Sequence, residues 1–113
     1  MAQRNKRREL LKGTLELVIL GVLHDKECHA YSLRKRLVEM EGGVFAVGEG
    51  TLYGGLHRLE DQGLIRGQGK EGEKGPRQRV YTITDRGRGD LQRQRTQWLS
   101  MNKIVTGLIP ARA

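Results

Sequence analysis

The sequence holds one cysteine, five aromatic side chains and no long uninterrupted apolar run. Lone Cys28 cannot close a disulfide within the chain, which argues for a cytoplasmic protein rather than a cross-linked secreted one. The longest apolar stretch, Leu15 to Leu23, is interrupted by Glu16 and Gly21 and falls well short of the roughly 20 residues that a membrane-spanning helix needs. No membrane association is expected. The basic N-terminus leads into an amphipathic segment without a cleavage-like site, so no secretory signal is expected either. Aromatics at 4% leave little material for an elaborate active-site cavity. A Walker-type phosphate loop and a nucleophile elbow are missing, and the adjacent carboxylates Glu60 and Asp61 point in different directions on a helix. Catalysis is therefore not expected. Cys28 lies near His24 and His29, but structural zinc normally takes four protein ligands, so neither metal nor cofactor is expected.

A chain of 113 residues with 36% hydrophobic side chains has room for one domain with a small core, which makes stabilisation by a partner attractive. Lys and Arg number 21 against 13 Asp and Glu, giving a formal charge of +8 and a pI near 10.2. Such a balance points to a polyanionic partner. The charge is unevenly placed. Residues 1–12 carry five basic and one acidic side chain, residues 13–65 five basic against eight acidic, and residues 66–95 nine basic against four.

Glycine is as unevenly distributed: eleven of the sixteen lie between Gly42 and Gly75. Because glycine in a helix interior costs about 1 kcal/mol relative to alanine, this separates a helical first third, a punctuated middle and a helical tail. Leu11, Leu15, Val18 and Val22 follow helical spacing, with Ile19, Leu20 and Leu23 widening the stripe, so Leu10–Leu23 reads as a core helix. His24–Cys28 reads as a polar turn. Leu33, Leu37 and Met40 mark a second helix that stops at Gly42-Gly43. Leu52, Leu56 and Leu59 mark a third of about three turns, closing at Gln62-Gly63, with Tyr53, His57 and Glu60 on its other face. After Gly63 the period becomes alternating: Leu64-Ile65-Arg66 leads into a hairpin and Arg79, Tyr81 and Ile83 lead out, joined by the long charged loop Gly69–Pro76. Thr84-Asp85 offers an N-cap to a tail helix. There Leu91, Trp98 and Val105 take the a positions of a heptad and Met101 and Leu108 the d positions, a pattern for packing on another helix.

The expected fold is therefore mainly α with a small β-hairpin: a winged helix-turn-helix followed by a C-terminal dimerisation helix. Residues 1–9 form a basic flexible arm, 10–84 the DNA-binding domain, 85–109 the dimerisation helix and 110–113 a tail. A helix fits the major groove, about 12 Å wide, and a basic hairpin beside it can reach phosphates. The run GTLYGGLHRLEDQGLI (Gly50–Ile65) resembles the recognition-helix signature of the PadR family of transcriptional regulators. YTITDRGRGDL (Tyr81–Leu91) resembles that family's junction between wing and tail. LLKGTLELVILGVL (Leu10–Leu23) and HAYSL (His29–Leu33) match in kind and spacing. The likeness spans Leu10 to Leu108 and is to the small subgroup with a single tail helix. Two departures stand out: Gly54 replaces the proline usual after the tyrosine, and Ala30 the glycine usual after the histidine. The Gly54-Gly55 pair leaves the third helix weak by about 2 kcal/mol, so its start depends on DNA or on packing of Leu52 and Leu56.

The resemblance implies DNA contact for Thr51 and Tyr53 at the start of the third helix; the plainer reading makes them a cap and a packed aromatic. His57 and Arg58 lie a turn further on, and Arg suits bidentate contact with guanine or phosphate. Lys74, Arg77 and Arg79 in the wing, and Arg7 and Arg8 in the arm, are candidate phosphate contacts. Arm and wing thus supply the affinity, while the nearly uncharged third helix reads bases or shape. Leu11, Leu15, Leu91, Trp98, Met101, Val105 and Leu108 are candidate dimer-interface residues. The resemblance further implies an effector site: in some small PadR-like regulators a tail-helix tryptophan from each subunit lines a pore and stacks on flat hydrophobic molecules, which assigns Trp98 and Met101 here. The expected function is sequence-specific regulation of transcription, in the form of repression by a homodimer on a palindromic double-stranded DNA operator, with release by a hydrophobic or aromatic effector. Two alternatives stay open: a small basic RNA-binding protein, against which the scarcity of aromatics counts, and a winged-helix module that binds protein.

Overall fold

The computed structural model describes residues 13–69 and 79–111. The arm with Arg7 and Arg8, Leu11, and the wing tip with Lys74 and Arg77 lie outside the described residues. The elements run α1 (Leu15–Asp25), β1 (Cys28–His29), α2 (Ala30–Glu39), a 3-10 turn (Glu41–Gly43), α3 (Glu49–Asp61), β2 (Ile65–Gln68), β3 (Val80–Ile83) and α4 (Asp85–Leu108). This is the order of a winged helix-turn-helix.

Aliphatic periodicity builds the core as the sequence indicates. Leu15, Ile19, Leu20, Val22 and Leu23 of α1 are buried, and they meet Ala30, Leu33 and Leu37 of α2 and Leu52, Leu56 and Leu59 of α3. Leu52 and Leu56 are each 1% exposed, so packing holds the glycine-containing start of α3 in helical form. Helix α1 begins later than the periodicity from Leu10 suggests. Gly13 sits at φ +83°, a left-handed conformation outside the right-handed helix that glycine adopts without steric penalty. Leu15, expected at a dimer interface, is 6% exposed and belongs to this core. As the first residue of α1 it faces inward, so its apolar surface is covered within one protomer.

The β-structure has one strand more than the expected hairpin. Cys28, read as the end of a turn, and His29 after it pair antiparallel with Tyr81 and Val80, giving the order β1-β3-β2. The Ala30 amide donates to the Arg79 carbonyl at 3.3 Å and extends the pairing. Two residues are too few to display a period of two. Strands β2 and β3 pair from Ile65↔Ile83 to Gln68↔Val80, and Ile65, Tyr81 and Ile83 turn into the core.

Thr84 joins this sheet to α4. Its amide donates to the Leu64 carbonyl at 3.0 Å, its Oγ1 donates to the carbonyls of Gly63 (2.7 Å) and Leu64 (3.0 Å), and the same Oγ1 accepts from the Gly87 amide at 3.0 Å. The last bond is the N-cap expected of Thr84. Gly87 is buried against the same Leu64 carbonyl: a Cβ there would stand 2.1 Å from that oxygen and 2.7 Å from Ile83 Cγ1. Helix α4 packs on the domain through α1 and β3, and among the described residues Leu91 is its last hydrophobic side chain packed on the core. The rest projects, so the radius of gyration of 15.6 Å exceeds the roughly 13 Å of a compact chain this long.

Gly87→Ala is expected to destabilise the protein by about 3 kcal/mol, because backbone rather than a movable side chain opposes the new methyl. Gly21→Ala, on the exposed side of α1 with nothing within 4 Å, should stabilise it by about 0.5–1 kcal/mol through helix propensity. Urea unfolding midpoints of the two variants check the contrast.

Candidate nucleic-acid interface

Helix α3 buries Leu52, Gly55, Leu56 and Leu59 and leaves the opposite side open. Helical spacing places Gly50, Gly54, His57 and Asp61 along the outer ridge. Thr51 and Arg58 form one flank, next to α1, and Tyr53 and Glu60 the other, next to the sheet. Of the four residues expected to contact DNA, Thr51, His57 and Arg58 are exposed and Tyr53 is half-buried, packed partly against the core. The helix thus brings all four to one side of the molecule. Arg58 Nε donates to Glu16 Oε1 at 3.1 Å, which holds its guanidinium beside α1. His57 Nε2 lies 3.6 Å from Asp61 Oδ2, both strongly exposed, so this pair adds little to stability. The ridge itself carries no lysine or arginine, consistent with the acidic balance of residues 13–65.

The turn between α2 and α3 is anchored by Arg34, whose Nε donates to the Val47 carbonyl at 3.3 Å, and by buried Val47. These contacts fix how α3 crosses α2 and hence how its ridge projects.

At the wing base, Arg79 is placed differently from a free phosphate contact. Its Nη2 donates to the Gly67 carbonyl at 2.8 Å and to Glu60 Oε2 at 3.2 Å. Its guanidinium lies 5.7 Å from the Tyr81 ring centroid. The physical reason is local: the flank of α3 offers a carboxylate and β2 a carbonyl within reach of one side chain. Burial pushes the Tyr81 phenol above its ordinary value; the Arg79 charge opposes this, and Glu60 and Tyr53 add to it. Two exposed residues of the same domain, Tyr31 at the start of α2 and Arg66 on β2, are not among the sequence candidates. Tyr31 stands off the Ala30–Leu33–Leu37 stripe, a signal that could have marked it as outward-facing.

Behind the wing an open cleft of about 390 Å³ is lined by Lys26, Cys28, His29, Ser32 and Arg36, among others. Among the described residues no three His, Cys, Asp or Glu side chains converge as metal ligands would. Burial pushes the Cys28 thiol above its ordinary value, against a smaller opposing pull from Arg36.

On α4, Trp98 is 44% exposed, Met101 60% and Leu108 79%, and Val105, Leu99, Ile104 and Ile109 are exposed as well. Together with Leu91 the a and d positions form one apolar seam, covered at its root and bare along the projecting half. Among the described residues no helix is long and apolar enough to cross a membrane.

The family model for the transcriptional regulator PadR-like family matches residues 19–93, from the middle of α1 to the root of α4. Transcriptional regulator Rv3488 of Mycobacterium tuberculosis is 33% identical over 100 residues, covering 88% of this chain and 90% of that protein. Transcriptional regulator YqjI of Escherichia coli is 30% identical over 100 residues, but this chain spans only 42% of its length. Among solved structures, the PadR family transcriptional regulator of Eggerthella lenta superposes with a TM-score of 0.81 at 29% identity, covering 98% of this chain and 95% of that one. The PadR-like regulator of Bacillus cereus does so with a TM-score of 0.74 at 34% identity, covering 88% and 95%.

A thiol held above its ordinary value is short of thiolate at neutral pH, and the thiolate is the nucleophile. Cys28 should therefore react with iodoacetamide more slowly than free cysteine at pH 7.5, with the rate still rising above the pH at which free cysteine levels off. Mass spectrometry of timed alkylation checks this.

Proposed function

Since this chain belongs to the PadR-like family of transcriptional regulators, we propose that it acts as a homodimer that recognises a palindromic operator and represses transcription. The observation that carries this reading is the bare apolar seam of α4, on a helix whose root is fixed to the same domain that presents α3. A seam of Trp98, Met101, Val105 and Leu108 invites a partner helix with the same face, and a two-fold axis through it makes the contact self-complementary. Two-fold symmetry sets the two α3 helices at a fixed separation, matching half-sites in successive major grooves.

Within each half-site, Thr51, Tyr53, His57 and Arg58 lie along the groove-facing side of α3, where a nearly neutral ridge reads base edges or shape. Phosphate affinity comes from Lys74 and Arg77 of the wing and Arg7 and Arg8 of the arm, where the sequence concentrates its positive charge. The chain works in the cytoplasm, where its operator is.

Trp98 and Met101 also suit a flat hydrophobic or aromatic effector, since an indole face stacks on such molecules. An effector that binds better to a dimer with the wrong half-site spacing shifts the population and releases DNA, by no more than its differential affinity.

The direct test is affinity for DNA upstream of the protein's own gene across a salt series. A sequence-specific complex whose log affinity falls linearly with log salt supports the reading; absence of both specificity and salt dependence removes it. Trp98→Ala should weaken dimerisation by about 2 kcal/mol or more, the scale of a buried aromatic anchor, as read by sedimentation equilibrium. Titrating hydrophobic dyes against the emission of the single tryptophan tests the effector site, and unchanged emission across a broad panel leaves Trp98 as interface alone.

A further inference from the structure

We propose that Arg79 and Glu60 form a clamp that sets the angle between the wing and the recognition helix, so that Arg79 serves DNA binding as a positioning residue and not as a phosphate contact. The inference rests on the DNA-binding reading above and assigns a role within it.

Four observations converge on this side chain. Its Nη2 bridges two elements, donating to Glu60 of α3 and to the Gly67 carbonyl of β2. Its Nε is buried and has no hydrogen-bond partner, so that edge of the guanidinium is turned into the protein, while the side chain as a whole is 41% exposed. The aromatic ring of Tyr81 lies beneath the guanidinium. Gly67 of β2 and Gly69 just after it make the slot: a Cβ on Gly67 would stand 2.6 Å from Nη2 and 2.8 Å from Tyr81 Cε1, and a Cβ on Gly69 would stand 2.9 Å from Arg79 Cγ. Any other residue at either position would push the side chain out.

The mechanical consequence follows from where the partners stand. Glu60 lies in the last turn of α3 and Gly67 in β2, the strand that leads into the wing, with only the short link Gln62–Leu64 between the two elements. Backbone pairing fixes β2 to β3, while Arg79 adds a side-chain tie across to α3. Both bonds leave the same Nη2, whose two N–H groups are held in the guanidinium plane, so they constrain direction as well as distance, whereas an ammonium turns freely about its stem. With the tie in place, phosphate contacts made further along the wing keep a fixed register to base contacts made by α3.

The test measures affinity of the full-length protein for DNA upstream of its own gene, as a function of salt, for wild type, Arg79→Gln, Glu60→Gln, the double variant and Arg79→Lys. The clamp predicts that each single variant loses roughly three- to tenfold in affinity and that the double variant is little worse than either, the signature of a coupled pair. It predicts an unchanged salt slope for Arg79→Gln and no rescue by Arg79→Lys. The loss in Glu60→Gln is the sharpest sign, because removing an acidic group beside a polyanion should otherwise tighten binding. Tighter binding by Glu60→Gln, a slope lower by about one per protomer in Arg79→Gln, or full rescue by lysine would overturn the proposal. A second arm needs no DNA: the Arg79 Nε–H resonance of the free protein should exchange slowly with water, and Glu60→Gln should speed that exchange. Fast exchange in wild type contradicts the clamp. If wild type binds no DNA while its Nε–H is protected, the DNA-binding reading fails and the clamp stands.

Discussion

The arrangement depends on one close approach, that of Gly87 to the Leu64 carbonyl. This oxygen ends the turn after α3, and it meets the Thr84 amide, the Thr84 hydroxyl and the bare Cα of Gly87 within one turn of α4. The tail helix can start where it does only because residue 87 has no side chain. Since among the described residues no hydrophobic side chain of α4 beyond Leu91 is packed on the core, this junction aims the remaining turns of α4, nearly five. In the dimer proposed above, the separation of the two recognition helices is a lever-arm consequence of a few bonds at the root of α4. A small change of angle there swings the far half of α4, where Trp98 lies.

Electrostatics and shape are divided along the chain in a way that suits this geometry. The outer ridge of α3 is Gly50, Gly54, His57 and Asp61, without a fixed positive charge, and its two flanks are occupied by Arg58 turned to Glu16 and Glu60 joined to Arg79. The arginines nearest the ridge therefore hold the domain together, each partly exposed and each of modest energetic value alone. The sequence concentrates the remaining positive charge in the arm and the wing, to which the proposed function gives the phosphate contacts. A recognition surface of this kind relies on how well α3 is held, since few strong charge contacts would compensate for a poor fit.

Much of this was legible beforehand because the signals were periodic. The i, i+4, i+7 spacing of Leu52, Leu56 and Leu59, the alternation through Tyr81 and Ile83, the capping threonine and the heptad of α4 each recur over enough residues to stand out. What escaped lacked a period or a direction. Strand β1 is two residues long. Gly13 reads as one more glycine until its φ is known, so the start of α1 was placed too early. Leu15 is apolar in either setting, and the sequence does not say whether its own core or a partner covers it. Arg79 reads as charge alone in the sequence; its bonds to the Gly67 carbonyl and to Glu60, 19 positions away, are a juxtaposition that only the fold creates.

The central claim is that a two-fold dimer presents two α3 helices to one face of DNA. Hydroxyl-radical footprinting of the protein on the DNA upstream of its own gene measures this directly. Two symmetric protected segments should appear, centred about one helical turn, roughly 34 Å, or a whole multiple of it apart. A single protected segment without its symmetry mate, or uniform protection without sequence preference at saturating protein, would contradict the account.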